Sequence, residues 1–126
     1  MTAAARPHRA RPASVPRPVV IDTDPGIDDA LALLLALRSP ELRVELLTTV
    51  AGNVPVPRAT ANVRRILGLL APPVWPAVAQ GLSRPLRRSP HTATAFHNDD
   101  GLGGVTHLCH PDGSPRYPVP EQPAVH

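Results

Sequence analysis

Lysine is absent from this chain, and cysteine, phenylalanine, tryptophan and tyrosine occur once each. The lone Cys109 excludes an intramolecular disulfide and a cysteine zinc site, and it fits a reducing, cytoplasmic setting. Without an aromatic cluster, burial has to come from Leu, Val, Ile and Ala. All 13 basic residues are Arg, a choice that, beside so many Ala and Pro, resembles coding bias more than a basic surface built for a partner. No long apolar run is present either. The longest, Ala30 to Leu37, is far short of the roughly 20 residues that span a bilayer, and the N-terminus lacks the apolar core of a secretory signal.

The net charge of +3 is unevenly placed. Arg6, Arg9, Arg11 and Arg17 stand in residues 1–18 with no acid, while the remainder sets 9 Arg against 10 acidic residues. The excess therefore belongs to a tail, and nucleic-acid or membrane-surface binding is not expected of the globular part. An Arg-rich, acid-free start has the composition of a transit peptide. It lacks amphipathic spacing, however, and holds three prolines before residue 17, so residues 1–17 read as a disordered Arg/Pro/Ala-rich tail. Residues 18–126 are then a single small domain with a thin core.

Along that domain, Val19 to Asp22 reads as a short strand buried on both faces, being continuous and β-branched. Pro25-Gly26 turns the chain. Asp28-Asp29 opens a helix through Leu37, with the acids at the positive end of its dipole. Nearly every later position of this helix is apolar, which predicts cover on most sides. Val44 to Val50 is a second strand, parallel to the first in a β-α-β unit. Val56, Ala59, Val63, Ile66, Leu67 and Leu70 then mark an amphipathic helix, with Arg58, Arg64 and Arg65 on its other side. Pro72-Pro73 stops it, and Val74 to Ala79 is a third strand. From Gln80 onward regular alternation fades, and residues 109–126 show no periodicity. The expected class is α/β, a parallel sheet with flanking helices in Rossmann-like order.

The chemistry concentrates in Asp22 to Asp29, DTDPGIDD, with four carboxylates in eight residues. Two unit charges about 5 Å apart repel by about 3 kcal/mol at an effective dielectric near 20. No Lys or Arg lies between Pro18 and Leu37, so the positive charge comes from outside, and a hard divalent cation with oxygen ligands is the simplest source. The stretch also falls at the carboxyl end of a strand, where open parallel sheets bind ligands. One helix cap needs one Asp; four need another reason. The spacing sorts them. Asp22 and Asp24 alternate along the strand exit, whereas Asp28 and Asp29 share the first helical turn, with Asp29 able to swing back beside Asp24 and Asp28 free to face a ligand.

A calcium helix-loop-helix fails at three positions, since it wants Asp or Asn at Gly26, Gly at Ile27 and Glu at Leu33. Phosphotransferases of the haloacid dehalogenase type share Asp22-x-Asp24 after a strand, but they do not need the Asp28-Asp29 pair. A second acidic segment, Phe96 to Gly104 (FHNDDGLGG), and the strand exit TTVAGN ending at Asn53 complete the set. Taken alone, His97 is a loop residue and Asn53 a turn residue tolerant of left-handed geometry. His91, His107, His110 and His126 have no ligand-like spacing.

VVIDTDPGIDDALAL, TTVAGN and FHNDDGLGG, in this order, resemble the nucleoside hydrolases, the inosine-uridine-preferring family of purine and pyrimidine ribohydrolases. The resemblance runs from about Pro18 to the end of the chain. It implies hydrolysis of the N-glycosidic bond of a ribonucleoside by a calcium-bound water. Asp24 would be general base and calcium ligand, Asp29 a second calcium ligand, Asp28 and Asn53 ribose-binding residues, and Asp22 a supporting residue that orients the loop. His97 would stand near the base-side pocket, although the family more often follows this histidine with Gly-Glu where Asn98-Asp99 stand here. Members run to about twice this length or more, so the remaining calcium ligands and a leaving-group histidine would come from beyond residue 126. The resemblance leaves room for a homo-oligomer of the full-length domain. On this reading the chain is an N-terminal portion with impaired activity; a non-catalytic remnant or metal-binding module, and the phosphotransferase, are the alternatives.

Overall fold

A computed structural model describes residues 15–89 and 91–105. Three strands, β1 (Arg17–Thr23), β2 (Leu42–Thr49) and β3 (Ala77–Gln80), form a parallel sheet in the order β1-β2-β3. Helix α1 (Ile27–Arg38) joins the first pair and α2 (Val56–Leu70) the second. The α/β class and the parallel β-α-β unit stand as expected. The order is that of one half of a doubly wound sheet. The expected tail falls largely on residues outside those described, but Arg17 already belongs to β1, donating its N–H to Glu41 O at 2.8 Å.

The core is a single cluster, Leu33 of α1, Val44 and Leu47 of β2, and Val63, Ile66 and Leu67 of α2. Since both helices share it with the same strand, both lie on one face of the sheet. Two expectations change for this reason. β1 is not buried on both faces: Val19 and Ile21 pack toward the core, while Val20, on the opposite face, is 62% exposed. Likewise α1 buries only Leu33 fully, and Leu31 and Leu35 are 64% and 75% exposed. A helix apolar all round asks for cover on several sides, and the described residues supply one.

The amphipathic reading of α2 places its stripe correctly, with Val56, Ala59, Val63, Ile66 and Leu67 buried. Arg65 departs from it. Arg58 and Arg64 are exposed, but Arg65 is 8% exposed and donates from Nη1 to Asn62 Oδ1 at 3.0 Å. A later loop returns to the same side of the helix, where Asp100 O accepts from Asn62 Nδ2. The helix stops with Ala71 in a left-handed cap (φ 42°), its N–H on Leu67 O, before Pro72-Pro73. β3 begins later than the composition suggests, because Pro76 has no N–H to give the ladder and pairing starts at Ala77.

Leu47, fully buried, and Leu35, largely exposed, give this arrangement a direct check. Leu47→Ala should lower the unfolding free energy by about 2–5 kcal/mol, and Leu35→Ala should change it by about 0.5 kcal/mol or less. Urea denaturation followed through the fluorescence of Trp75, the sole tryptophan and a residue packed on the core, measures both.

Candidate active site

The parallel strands deliver two loops to the same edge of the sheet. β1 ends at Thr23 and releases Asp24-Pro25-Gly26 into α1; β2 ends at Thr49 and releases Val50 to Asn53. Val50 N still bonds Thr23 O at 3.1 Å, which keeps the exits side by side. Asn53 then joins them. Its backbone N–H donates to Asp24 Oδ2 at 2.7 Å, and its side-chain Nδ2 donates to Asp29 Oδ2 at 3.1 Å and to Asp24 O at 3.2 Å. Asp29 also accepts from Thr23 Oγ1 at 3.0 Å and from Gly26 N at 3.2 Å. This last contact, from the third helical residue back to the N-cap, is half of a capping box. Asp24 and Asp29 are thus brought to one centre, as their spacing suggests.

Asp28 is exposed and has no hydrogen-bond partner among the described residues, so it is free to face a ligand. Asp22 is placed otherwise. It accepts from Thr48 Oγ1 at 2.5 Å across the β1–β2 register and touches neither Asp24 nor Asp29 by hydrogen bond. None of the four is paired with an arginine among the described residues. Donors at Asp24 and Asp29 are N–H groups and a hydroxyl, which soften the repulsion without cancelling the charge.

His97 enters from a third segment. A short helix, α3 (Thr94–His97), is anchored where Ala93 N donates to Asn53 O at 3.0 Å, and from it His97 Nδ1 accepts the N–H of Ile27 at 3.2 Å. Because Nδ1 accepts, the ring proton of the neutral imidazole sits on Nε2. The loop that follows is bonded to itself: Asp100 Oδ1 accepts from Leu102 N and Gly104 N, both at 3.0 Å, and His97 O accepts from Gly103 N at 3.0 Å. His91 is exposed; His107, His110 and His126 lie outside the described residues.

Two glycines that look like simple turn residues are fixed by these approaches. A Cβ on Gly26 would stand 2.8 Å from His97 Nδ1 and 2.9 Å from Asn53 Nδ2, and one on Gly52 would overlap the Asp24 carboxylate. Gly26 is therefore where all three segments meet, and a glycine beside an acidic cluster was the available signal. Asn62 was also missed, and Asp100 was visible only as one of the acids in FHNDDGLGG; their contacts to backbone carbonyls and amides are ones that no spacing reveals.

The donor set suits a hard cation, being carboxylate oxygens with no competing arginine. It is a partial set, because no group of three or more His, Cys, Asp or Glu residues gathers among the described residues, and calcium takes six to eight oxygens. Asp24 and Asp29 would supply two of its ligands.

The fold is shared with solved nucleoside hydrolases. A plant nucleoside hydrolase is 41% identical, with a TM-score of 0.66 over 85% of this chain and 33% of its own. A purine-preferring ribonucleoside hydrolase from Gardnerella vaginalis is 31% identical, with a TM-score of 0.67 over 86% of this chain and 34% of its own. The model of the inosine-uridine preferring nucleoside hydrolases matches residues 19–126, and the chain belongs to that family. A curated relative, the non-specific ribonucleoside hydrolase RihC of Escherichia fergusonii, is 44% identical over 110 residues, covering 85% of this chain and 33% of the relative. The chain thus spans about a third of the length of the relatives it matches. No helix among the described residues is long and apolar enough to cross a membrane.

Replacing Gly52 by Ala should push the Asp24 carboxylate off Asn53 N. The Asn53 amide proton, held in a 2.7 Å charge-assisted bond, is then expected to move upfield and lose exchange protection in ¹⁵N–¹H spectra. An unchanged Asn53 amide in a folded Gly52→Ala protein would contradict the geometry.

Proposed function

We propose that this chain supplies the metal- and ribose-binding wall of a ribonucleoside hydrolase, cleaving the N-glycosidic bond to free base and ribose. The observation that carries the reading is the convergence of Asp24 and Asp29 on the two donors of Asn53, with Asp28 unpartnered beside them and His97 closing over Ile27. Family membership supports it. Calcium, when bound, supplies a centre that fixes and polarises a water.

The protein's own groups do the rest. Asp24 accepts the proton of the attacking water through the carboxylate oxygen not bound to Asn53 N. Asp29, restrained at both oxygens by Thr23, Gly26 and Asn53, holds a fixed direction toward the ion. Asp28 accepts from ribose hydroxyls, Asn53 lines the same pocket, and Asp22 supports the strand pair through Thr48. Cleavage builds oxocarbenium character on the ribose, and clustered carboxylates stabilise charge that appears only on the way to products. His97, with its proton on Nε2, offers a donor on the side of the leaving base. A cytoplasmic setting goes with the lone cysteine. Activity of the isolated chain is impaired, because two carboxylates leave most of the ion's shell to water.

The second reading, a non-catalytic metal-binding module, is favoured by that same shortage of ligands among the described residues. Ribose release from inosine and uridine separates the two. The folded chain should release ribose slowly with calcium and not after chelation. Asp24→Ala should reduce the rate by about 10²-fold or more, whereas Asp29→Ala should mainly weaken calcium binding in calorimetry. Calcium binding without ribose release would favour the module; phosphate release from p-nitrophenyl phosphate with magnesium would favour a phosphotransferase.

A further inference from the structure

Asn62 lies on α2, away from the acidic residues in sequence, and is completely buried. Its carboxamide nevertheless reaches both loops of the site. Nδ2 donates to Asp100 O at 2.7 Å and stands 3.4 Å from Pro25 O, while Oδ1 accepts from Arg65 Nη1 at 3.0 Å. Pro25 follows Asp24 directly, and Asp100 belongs to the loop that carries His97.

We propose that Asn62 is a positioning residue that sets the separation between the Asp24–Asp29 loop and the His97–Asp100 loop. The assignment rests on the reading of those loops as one site. Among the described residues, and beside the anchor of Ala93 N on Asn53 O, two connections run between them. One, Ile27 N to His97 Nδ1, is exposed at 3.2 Å and competes with water. The other is the buried amide of Asn62, whose donors have no water to turn to. Arg65 fixes which way the amide faces, since the guanidinium can only donate and so must meet the oxygen. Gly101 closes the junction in a left-handed conformation (φ 78°), where a Cβ would lie 2.9 Å from Asn62 Nδ2 and 3.0 Å from Pro25 O. Because the second loop is bonded to itself through Asp100 Oδ1 and His97 O, moving Asp100 moves His97 with it.

Asn62→Asp is the informative substitution. It keeps the shape and the acceptor for Arg65, and removes both donations. In ¹⁵N–¹H spectra of the full chain, the amides of Ile27 and Gly101 to Gly104 should shift, and Ile27 should lose at least about tenfold in exchange protection, while the Leu47 and Leu67 amides stay in place. Val63→Ala, which loosens the core without touching either loop, should lower the melting temperature and leave those loop amides unmoved. Should Asn62→Asp not fold, Asn62→Gln keeps the donors but displaces them, and the same amides should shift. Wild-type shifts and protection at Ile27 in a folded Asn62 variant, or equal shifts in Val63→Ala, would overturn the proposal. These readouts need no substrate, so a failure of nucleoside hydrolysis leaves them standing.

Discussion

The two N–H donors of Asn53 hold the acidic end of this molecule together. Four carboxylates within one turn and its flanks repel one another, and without fixed donors they would splay the β1–α1 connection apart. Asn53 takes one oxygen of Asp24 and one of Asp29 from a neighbouring strand exit, so the pairing of β1 with β2 and the geometry of the acids are a single constraint. The parallel sheet is what makes this reachable, because it sends both exits to the same edge.

Much of the framework was legible in the residues. The β-branched run before Asp22, the Pro-Gly turn and the apolar helix after Asp29 give a β-α unit by local rules, and the stripe Val56, Ala59, Val63, Ile66, Leu67 gives α2 by its period. Asp24, Asp29 and Asp28 were separable by spacing alone. What escaped is what depends on distant neighbours. Arg65 belongs to a polar face by period, yet it is buried against Asn62, whose amide reaches Asp100 O more than thirty residues later. Gly26 was visible only as part of a Pro-Gly turn and Gly52 only as part of TTVAGN, and their real constraint is the space taken by His97, Asn53 and Asp24.

The open surfaces of the sheet and of α1 follow from the same accounting. A doubly wound domain covers each sheet face with helices, and here α1 and α2 share one face with a single core. The exposed Val20, Leu31 and Leu35 are apolar side chains that the described residues leave uncovered. The acidic centre is likewise partial, with no group of three or more His, Cys, Asp or Glu residues among the described residues.

Sequence distance also bears on how readily each part opens. Asp22 and Thr48, which lock the first strand pair, are 26 residues apart, whereas Ile27 and His97 are 70 apart. Closing the longer loop costs roughly 1 kcal/mol more in chain entropy, and side-chain bonds that hold it, Ile27 N to His97 Nδ1 and Asn62 Nδ2 to Asp100 O, are exposed and part-buried. The histidine loop is therefore expected to open at lower cost than the sheet and its helices. A preparation with full helical and strand signal can consequently contain many molecules whose site is only half assembled at a given moment.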